Sequence, residues 1–134
     1  MERVVFDTNV WVSGLLWRGK PYQCLVLVRA GVVRPVYCPQ MLAELADKLR
    51  TKFRFPLTHL QAATHDLRSK GELVEIPGTL HVVPDDPDDD KFVECAVVAG
   101  CSRIVSGDAH ILSLCEYGGI HIISPAEFLA HLVW

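Results

Sequence analysis

The sequence predicts an α/β fold, a three-layer α/β/α sandwich built on a central, mainly parallel sheet. Two observations carry that reading. Short apolar runs alternate with helix-periodic stretches along the chain, the pattern of strands joined by helical crossovers. The two clearest apolar runs, Arg3–Phe6 and Arg103–Ser106, read as buried strands, and each breaks off in a polar turn. The chain has 134 residues, 50% hydrophobic and 22% charged, enough for one core and one domain, residues 1–134.

Arg3-Val4-Val5-Phe6 is the first strand, and Asp7-Thr8-Asn9 the turn that follows it. Val10–Leu16 reads as a short helix, broken at Trp17-Arg18-Gly19-Lys20-Pro21. Tyr22–Ala30 is a second helix, stopped by Gly31. Val32–Tyr37 is strand-like, with Pro35 marking it as weak or as an edge strand. Pro39 then opens a helix with one apolar face, Met41, Leu42, Leu45 and Leu49. Thr58–Lys70 is a further amphipathic helix, closed by Gly71. Leu73–Ile76 and Leu80–Val83 are short extended pieces around Pro77-Gly78. The acidic loop Pro84–Asp90 leads into a helix over Asp89–Ala99, ended by Gly100. Arg103–Ser106 is the second buried strand and is followed by Gly107-Asp108. Gly119–Ile123 is the last strand, and Ser124-Pro125 starts a terminal helix.

Composition narrows the function. A formal net charge of −3 argues against general electrostatic coating of nucleic acid, yet it allows an acidic nuclease site neutralised by metal ions. No apolar run approaches the roughly 20 residues needed to cross a bilayer. Asp7 falls where a signal peptide would be apolar, so the expected location is cytoplasmic. The five cysteines form no CxxC and read as reduced core thiols. The six histidines form no HxxxH or HExxH pair, which argues against a zinc site.

The chemistry lies in the carboxylates. In an open α/β sheet, ligands bind beyond the carboxyl ends of the strands. Both buried strands end in Asp, at Asp7 and Asp108, and parallel central strands would bring the two to one edge. Either alone reads equally well as a helix cap. Asp89 shares the phase of Phe92, Val93 and Ala96, so it faces the core side at the start of its helix. Asp90 lies on the slightly rotated face of Val93, Glu94 and Val97. Asp85, Asp86 and Asp88 precede the helix and have no phase. Favourable charge at a helix N-terminus is the plain alternative for this whole acidic run. Glu44 sits one turn beyond Met41 at the edge of the buried face. By spacing alone it is an ordinary helix Glu paired with Lys48 at i+4. Convergent carboxylates repel one another unless divalent cations join them, and hard oxygen donors suit Mg²⁺ or Mn²⁺. Such a site can activate water and stabilise both oxygens of an in-line phosphodiester displacement. Thr8, Asn9 and Ser106 are candidates to orient the water or a phosphate.

Taken together, Val4-Val5-Phe6-Asp7-Thr8-Asn9-Val10, Glu44, the stretch Asp86–Ala96, and Ile104-Val105-Ser106-Gly107-Asp108 resemble the PIN-domain family, in particular the VapC-like toxins of bacterial toxin–antitoxin systems. The resemblance runs through nearly the whole chain, in order. It implies a PIN-like α/β/α sandwich and an acidic, Mg²⁺- or Mn²⁺-dependent ribonuclease site. The family's first Asp falls on Asp7, its helix Glu on Glu44 and its last Asp on Asp108. Its helix-start Asp falls best on Asp89, with Asp90 as the one-residue alternative. Asn9 fills the position where the family often has Asn or Ser. The resemblance also implies an RNA substrate, a cognate antitoxin and a homodimer. Trp11 and Trp17 are candidates for an interface or for the core. Arg18, Lys20, Arg50, Lys52 and Arg54 are candidates to contact RNA, or simply a solvated face.

Two other readings compete. A haloacid-dehalogenase-like phosphatase also places an Asp after its first strand, but needs a second Asp two residues on, where this chain has Asn9. A non-catalytic PIN-like scaffold that binds RNA or protein would keep the fold without the cutting.

Overall fold

The computed structural model describes residues 1–133. Its elements are β1 (Glu2–Phe6), α1 (Thr8–Leu16), α2 (Lys20–Arg29), β2 (Val33–Tyr37), α3 (Pro39–Thr51), α4 (Leu57–Lys70) and β3 (Glu72–Leu73). A 3-10 turn, Pro87–Asp89, leads directly into α5 (Asp90–Ala99). β4 (Arg103–Val105), α6 (Ala109–Leu112), β5 (Glu116–Tyr117), β6 (Ile120–Ile123) and α7 (Pro125–Val133) complete the described chain. The strands form one sheet in the order β3-β2-β1-β4-β6-β5. All neighbours are parallel except the β5–β6 pair. The expected mainly parallel α/β arrangement is therefore what the chain adopts.

The sequence explains why both faces of this sheet are covered. Val4, Val5 and Phe6 are consecutive and all fully buried. Successive strand side chains point to opposite faces, so β1 has packing partners on both. Phe6 meets Trp11 and Phe128 edge-on, at ring separations of 6.2 and 5.8 Å. Helix α3 buries Met41, Leu45 and Leu49, one face of its 3.6-residue period, as its pattern required. Gly100 ends α5 in the left-handed region at φ 72°, where a side chain is strained.

The topology fixes where a ligand can bind. The chain leaves β1 toward β2 and β3 on one side, then returns to β4 on the other. The β1–β4 junction is thus the switch point, where the connections diverge and leave a crevice at the strands' carboxyl ends. Asp7 stands there, its backbone N–H bonded to the Val105 carbonyl at 2.9 Å.

Several expectations are corrected. The turn assigned to Asp7-Thr8-Asn9 is the N-cap and first turn of α1, because the Asp7 carboxylate accepts from the Asn9 N–H at 3.0 Å. Helix α2 begins at Lys20 rather than Tyr22, with Pro21 in its first turn. β2 is not an edge strand, since it pairs with both β1 and β3. Pro35 is tolerated because β3 spans two residues, opposite Val36 and Tyr37, and leaves the rest of that flank unpaired. Leu80–Val83 joins no strand: the N–H groups of Val82 and Val83 go to the Asp90 carboxylate instead. Trp11 is core and cannot serve an interface, whereas Trp17 is 62% exposed. The cysteines are all unpaired thiols, four of them buried.

Candidate active site

Four elements deliver carboxylates to the switch point. Asp7 follows β1 and is buried. Its Oδ1 accepts the Asn9 N–H, and its Oδ2 accepts the Ser106 hydroxyl at 2.7 Å. Burial raises its pKa above the ordinary carboxylate value, and the charge of Glu44 adds to the rise. The bonds from Asn9 and Ser106 and the charge of Lys48 oppose it. Asp108 follows β4 and caps α6, accepting the His110 N–H at 2.8 Å. Its own N–H donates to Ser106 Oγ at 3.0 Å. Ser106 therefore ties the two strand-end aspartates together. The capping reading of Asp7 and Asp108 is correct, and it leaves each carboxylate with lone pairs to spare.

Asp89 is the unusual member. It is 7% exposed, and its Oδ2 has no hydrogen-bond partner. Its pKa is pushed up to about 7, first by burial and then by the charges of Asp7, Asp86 and Asp108, with Lys91 opposing. An orphaned carboxylate oxygen among other carboxylates is costly in isolation and suits a cation. Asp90, equally buried, differs in its bonding. Its Oδ1 accepts the N–H groups of Val82 and Val83, both at 2.8 Å, and His81 lies 3.5 Å from its Oδ2. Its bonds are spent holding the preceding segment, and they keep its pKa low although burial pulls the other way. The neighbouring Glu94 does similar work, accepting the N–H groups of Gly78 and Thr79.

Glu44 reaches the cluster from α3. It accepts from Thr8 Oγ1, pairs with Lys91 Nζ at 2.6 Å, and has Lys48 Nζ at 3.7 Å. Burial opposes its ionisation, but the bonds from Lys91 and Thr8 prevail and lower its pKa. Lys48 also donates to Asn9 Oδ1 at 2.9 Å. The sequence reading anticipated the Lys48 pairing at i+4; the contact with Lys91, 47 positions away in the chain, has no local signal. Two clefts open beside the cluster. One, of about 340 Å³, is lined by Glu44, Asp88 and Lys91 among others; the second, of about 310 Å³, by Asn9, Gly107 and Asp108. Among the basic residues singled out by the sequence, Arg50 pairs with Asp47 and Arg18 stacks over Tyr22, so neither lies in the cluster's bonding network.

The donor set tests whether a divalent ion fits. Asp7, Asp89 and Asp108 offer only hard oxygen donors, one of them buried without a partner. That is the chemistry Mg²⁺ and Mn²⁺ take. Glu44 reaches the set with Thr8 on one oxygen and Lys91 on the other.

Comparison with known proteins agrees with this architecture. A profile of the PIN domain matches residues 3–110. No curated protein matches the sequence. VapBC2 from Rickettsia felis, in a crystal structure bound to a DNA fragment from their promoter, superposes with a TM-score of 0.62 at 13% identity. That match covers 91% of this chain and 98% of the other. PAE2754 from Pyrobaculum aerophilum superposes with a TM-score of 0.58 at 14% identity, covering 98% of this chain and 89% of the other. At such identities the superpositions speak for the fold alone, and the profile, which spans most of the chain, speaks for the family. The chain belongs to the PIN-domain family.

Proposed function

We propose that this protein is a Mg²⁺- or Mn²⁺-dependent endoribonuclease, the cytoplasmic toxin of a toxin–antitoxin pair. The observation that carries the reading is Asp89, whose buried Oδ2 lacks a partner and whose charge neighbours include Asp7 and Asp108. Asp7, Asp89 and Asp108 would hold the ion, with Glu44 as a fourth ligand. The chemistry such an ion would supply there is a lowered pKa for a water and an offset of charge at the leaving oxygen.

The chain's own residues do the rest. Ser106 fixes the orientation of Asp7 and, through the Asp108 N–H, the turn that carries Asp108. Lys48 and Lys91 place positive charge beside Glu44, where a phosphate of the RNA backbone would meet it. Asn9, held by Lys48, lines the cleft beside Asp108, while the buried Thr8 hydroxyl orients Glu44. Asp90 acts on structure rather than chemistry, by anchoring Val82 and Val83.

The toxin role and the antitoxin partner rest on family membership and on the VapBC2 superposition. A homodimer is part of the same reading. Val26 and Val32, both more than 40% exposed, border a groove between α2 and α7 that such a contact could cover. The phosphatase alternative loses its footing at Asn9, whose side-chain oxygen accepts from Lys48 where that chemistry needs an acid. The scaffold alternative predicts an inert protein.

Purified protein should cut single-stranded RNA with Mn²⁺ or Mg²⁺, stop with a chelator, and lose at least about 100-fold in rate on Asp7→Asn. A phosphomonoesterase without nuclease activity would favour the phosphatase reading. Binding of RNA without cleavage would favour the scaffold.

A further inference from the structure

The cleft of about 340 Å³ has a wall that the ion chemistry does not use. Residues 76–83 form no helix or strand, yet four backbone N–H bonds pin this segment to α5. Gly78 and Thr79 donate to Glu94 Oε2, at 3.2 and 3.1 Å, and Val82 and Val83 donate to Asp90 Oδ1. Asp90 and Glu94 stand one turn apart on α5, and both are more than nine-tenths buried. Burying two carboxylates is costly, and here it fixes a loop that would otherwise have no regular hydrogen bonding. The pinned loop and helix α3 face each other across the cleft.

The lining is that of a ligand site rather than of a surface dent. Ile76 and Leu80 give it apolar surface, and the exposed side chains of Gln40 and His81 stand at its margin. Glu94 also lines it, and among the described residues its Oε1 accepts no hydrogen bond. Asp90, the other buried carboxylate of the lining, has one oxygen spent on the loop and the other beside His81. Both oxygens of Glu44 are taken, by Thr8 and Lys91. A buried site with a single acceptor to spare suits a neutral N–H donor, whereas a metal ion wants several.

From this geometry we propose that the cleft is a nucleobase subsite of the nuclease, in which Glu94 Oε1 selects bases that carry an exocyclic amine and rejects uracil. The inference deepens the nuclease reading and rests on it for the RNA strand. Glu44 and Lys91 belong both to the cleft and to the network beside the ion site. A phosphate held near Lys91 therefore leaves the neighbouring nucleotide at the mouth of the cleft. Single-stranded RNA is read by stacking its splayed bases and bonding their Watson–Crick edges. His81, 80% exposed in its side chain, is placed to stack. Cytosine, adenine and guanine each offer an exocyclic amine to a carboxylate oxygen. Uracil turns carbonyl oxygens toward the same place, and two acceptors facing each other repel.

Cleavage of a random-sequence, single-stranded RNA pool by the full chain with Mn²⁺, followed by sequencing of the new ends, tests this. With the wild type, uracil should be depleted about tenfold at one fixed position beside the cut. Glu94→Gln keeps an oxygen for the N–H groups of Gly78 and Thr79 and puts a donor where Oε1 stood. It should abolish the depletion and enrich uracil at that position, whereas a Glu94 with only a structural role would alter cleavage of all sequences alike. Leu80→Trp fills the cleft from the loop, leaves all four N–H bonds in place, and should abolish the depletion independently of how Glu94→Gln folds. Cleavage by the wild type with no uracil-poor position, or a depletion that survives either variant, overturns the subsite and leaves the ion site standing. No cleavage by the wild type with Mn²⁺ or Mg²⁺ removes the nuclease reading and the subsite with it.

Discussion

Asp89→Asn and Asp90→Ala should move stability in opposite directions, although the two residues are adjacent, identical and equally buried. Ionised Asp89 is disfavoured in the metal-free fold. A pKa raised from 3.8 to about 7 corresponds to about 4 kcal/mol between its protonation states. The unfolded chain ionises this group from about pH 4, while the fold resists until about pH 7. Its burden on stability therefore grows across that window and is complete above it. Asn has the same shape without the charge. In chelator at pH 8, Asp89→Asn should stabilise the protein by about 2–4 kcal/mol, and near pH 4 by close to nothing. Asp90 carries two charge-assisted bonds at 2.8 Å to the N–H groups of Val82 and Val83. Asp90→Ala strands both donors and should cost about 3 kcal/mol. Urea unfolding at the two pH values measures each change. Destabilisation of Asp89→Asn by more than about 1 kcal/mol at pH 8, or a neutral Asp90→Ala, would refute the division of labour argued from their bonds.

Three further outcomes follow from the same structure. Mn²⁺ should raise the melting temperature of the wild type, by about 2.7 kcal/mol of stability at a hundredfold excess over its dissociation constant, and scanning calorimetry should find most of that gain missing in Asp89→Asn. Ser106→Ala removes a 2.7 Å bond to Asp7 and the acceptor for the Asp108 N–H, so RNA cleavage should fall at least about tenfold with about 1–2 kcal/mol of stability. Gly14→Ala would ordinarily stabilise a helix by about 1 kcal/mol, but here a Cβ would stand 2.6 Å from Leu25 Cδ1 and 3.0 Å from the Pro21 carbonyl, so thermal unfolding should show a loss of about 1–3 kcal/mol.

What the sequence reveals depends on how local the determining contacts are. Asp7 and Asp108 are legible because a strand that ends at a switch point puts the polar residues just after it at the crevice, and both strands are short apolar runs. The phase of Asp89 is legible because Phe92, Val93 and Ala96 define the buried side of α5, and all three are buried. The extent of the 3-10 turn, the two-residue β3 and the four-residue α6 are not legible, being too short to show a period. Asp90 and Asp89 have nearly the same local pattern, and only the return of Val82 and Val83 separates them. Glu44 is the hardest to read. Its helical spacing gives it Lys48, while Thr8 and Lys91 reach it through the tertiary fold.

In the proposed nuclease the orphaned carboxylate of Asp89 would hold a divalent ion together with Asp7 and Asp108. Crystals grown with Mn²⁺ and measured for its anomalous signal test it most directly. An anomalous peak is expected within about 2.3 Å of Asp89 Oδ2, with Asp7 and Asp108 as co-ligands. Crystals in which these three side chains are ordered and carry no peak between them would contradict it.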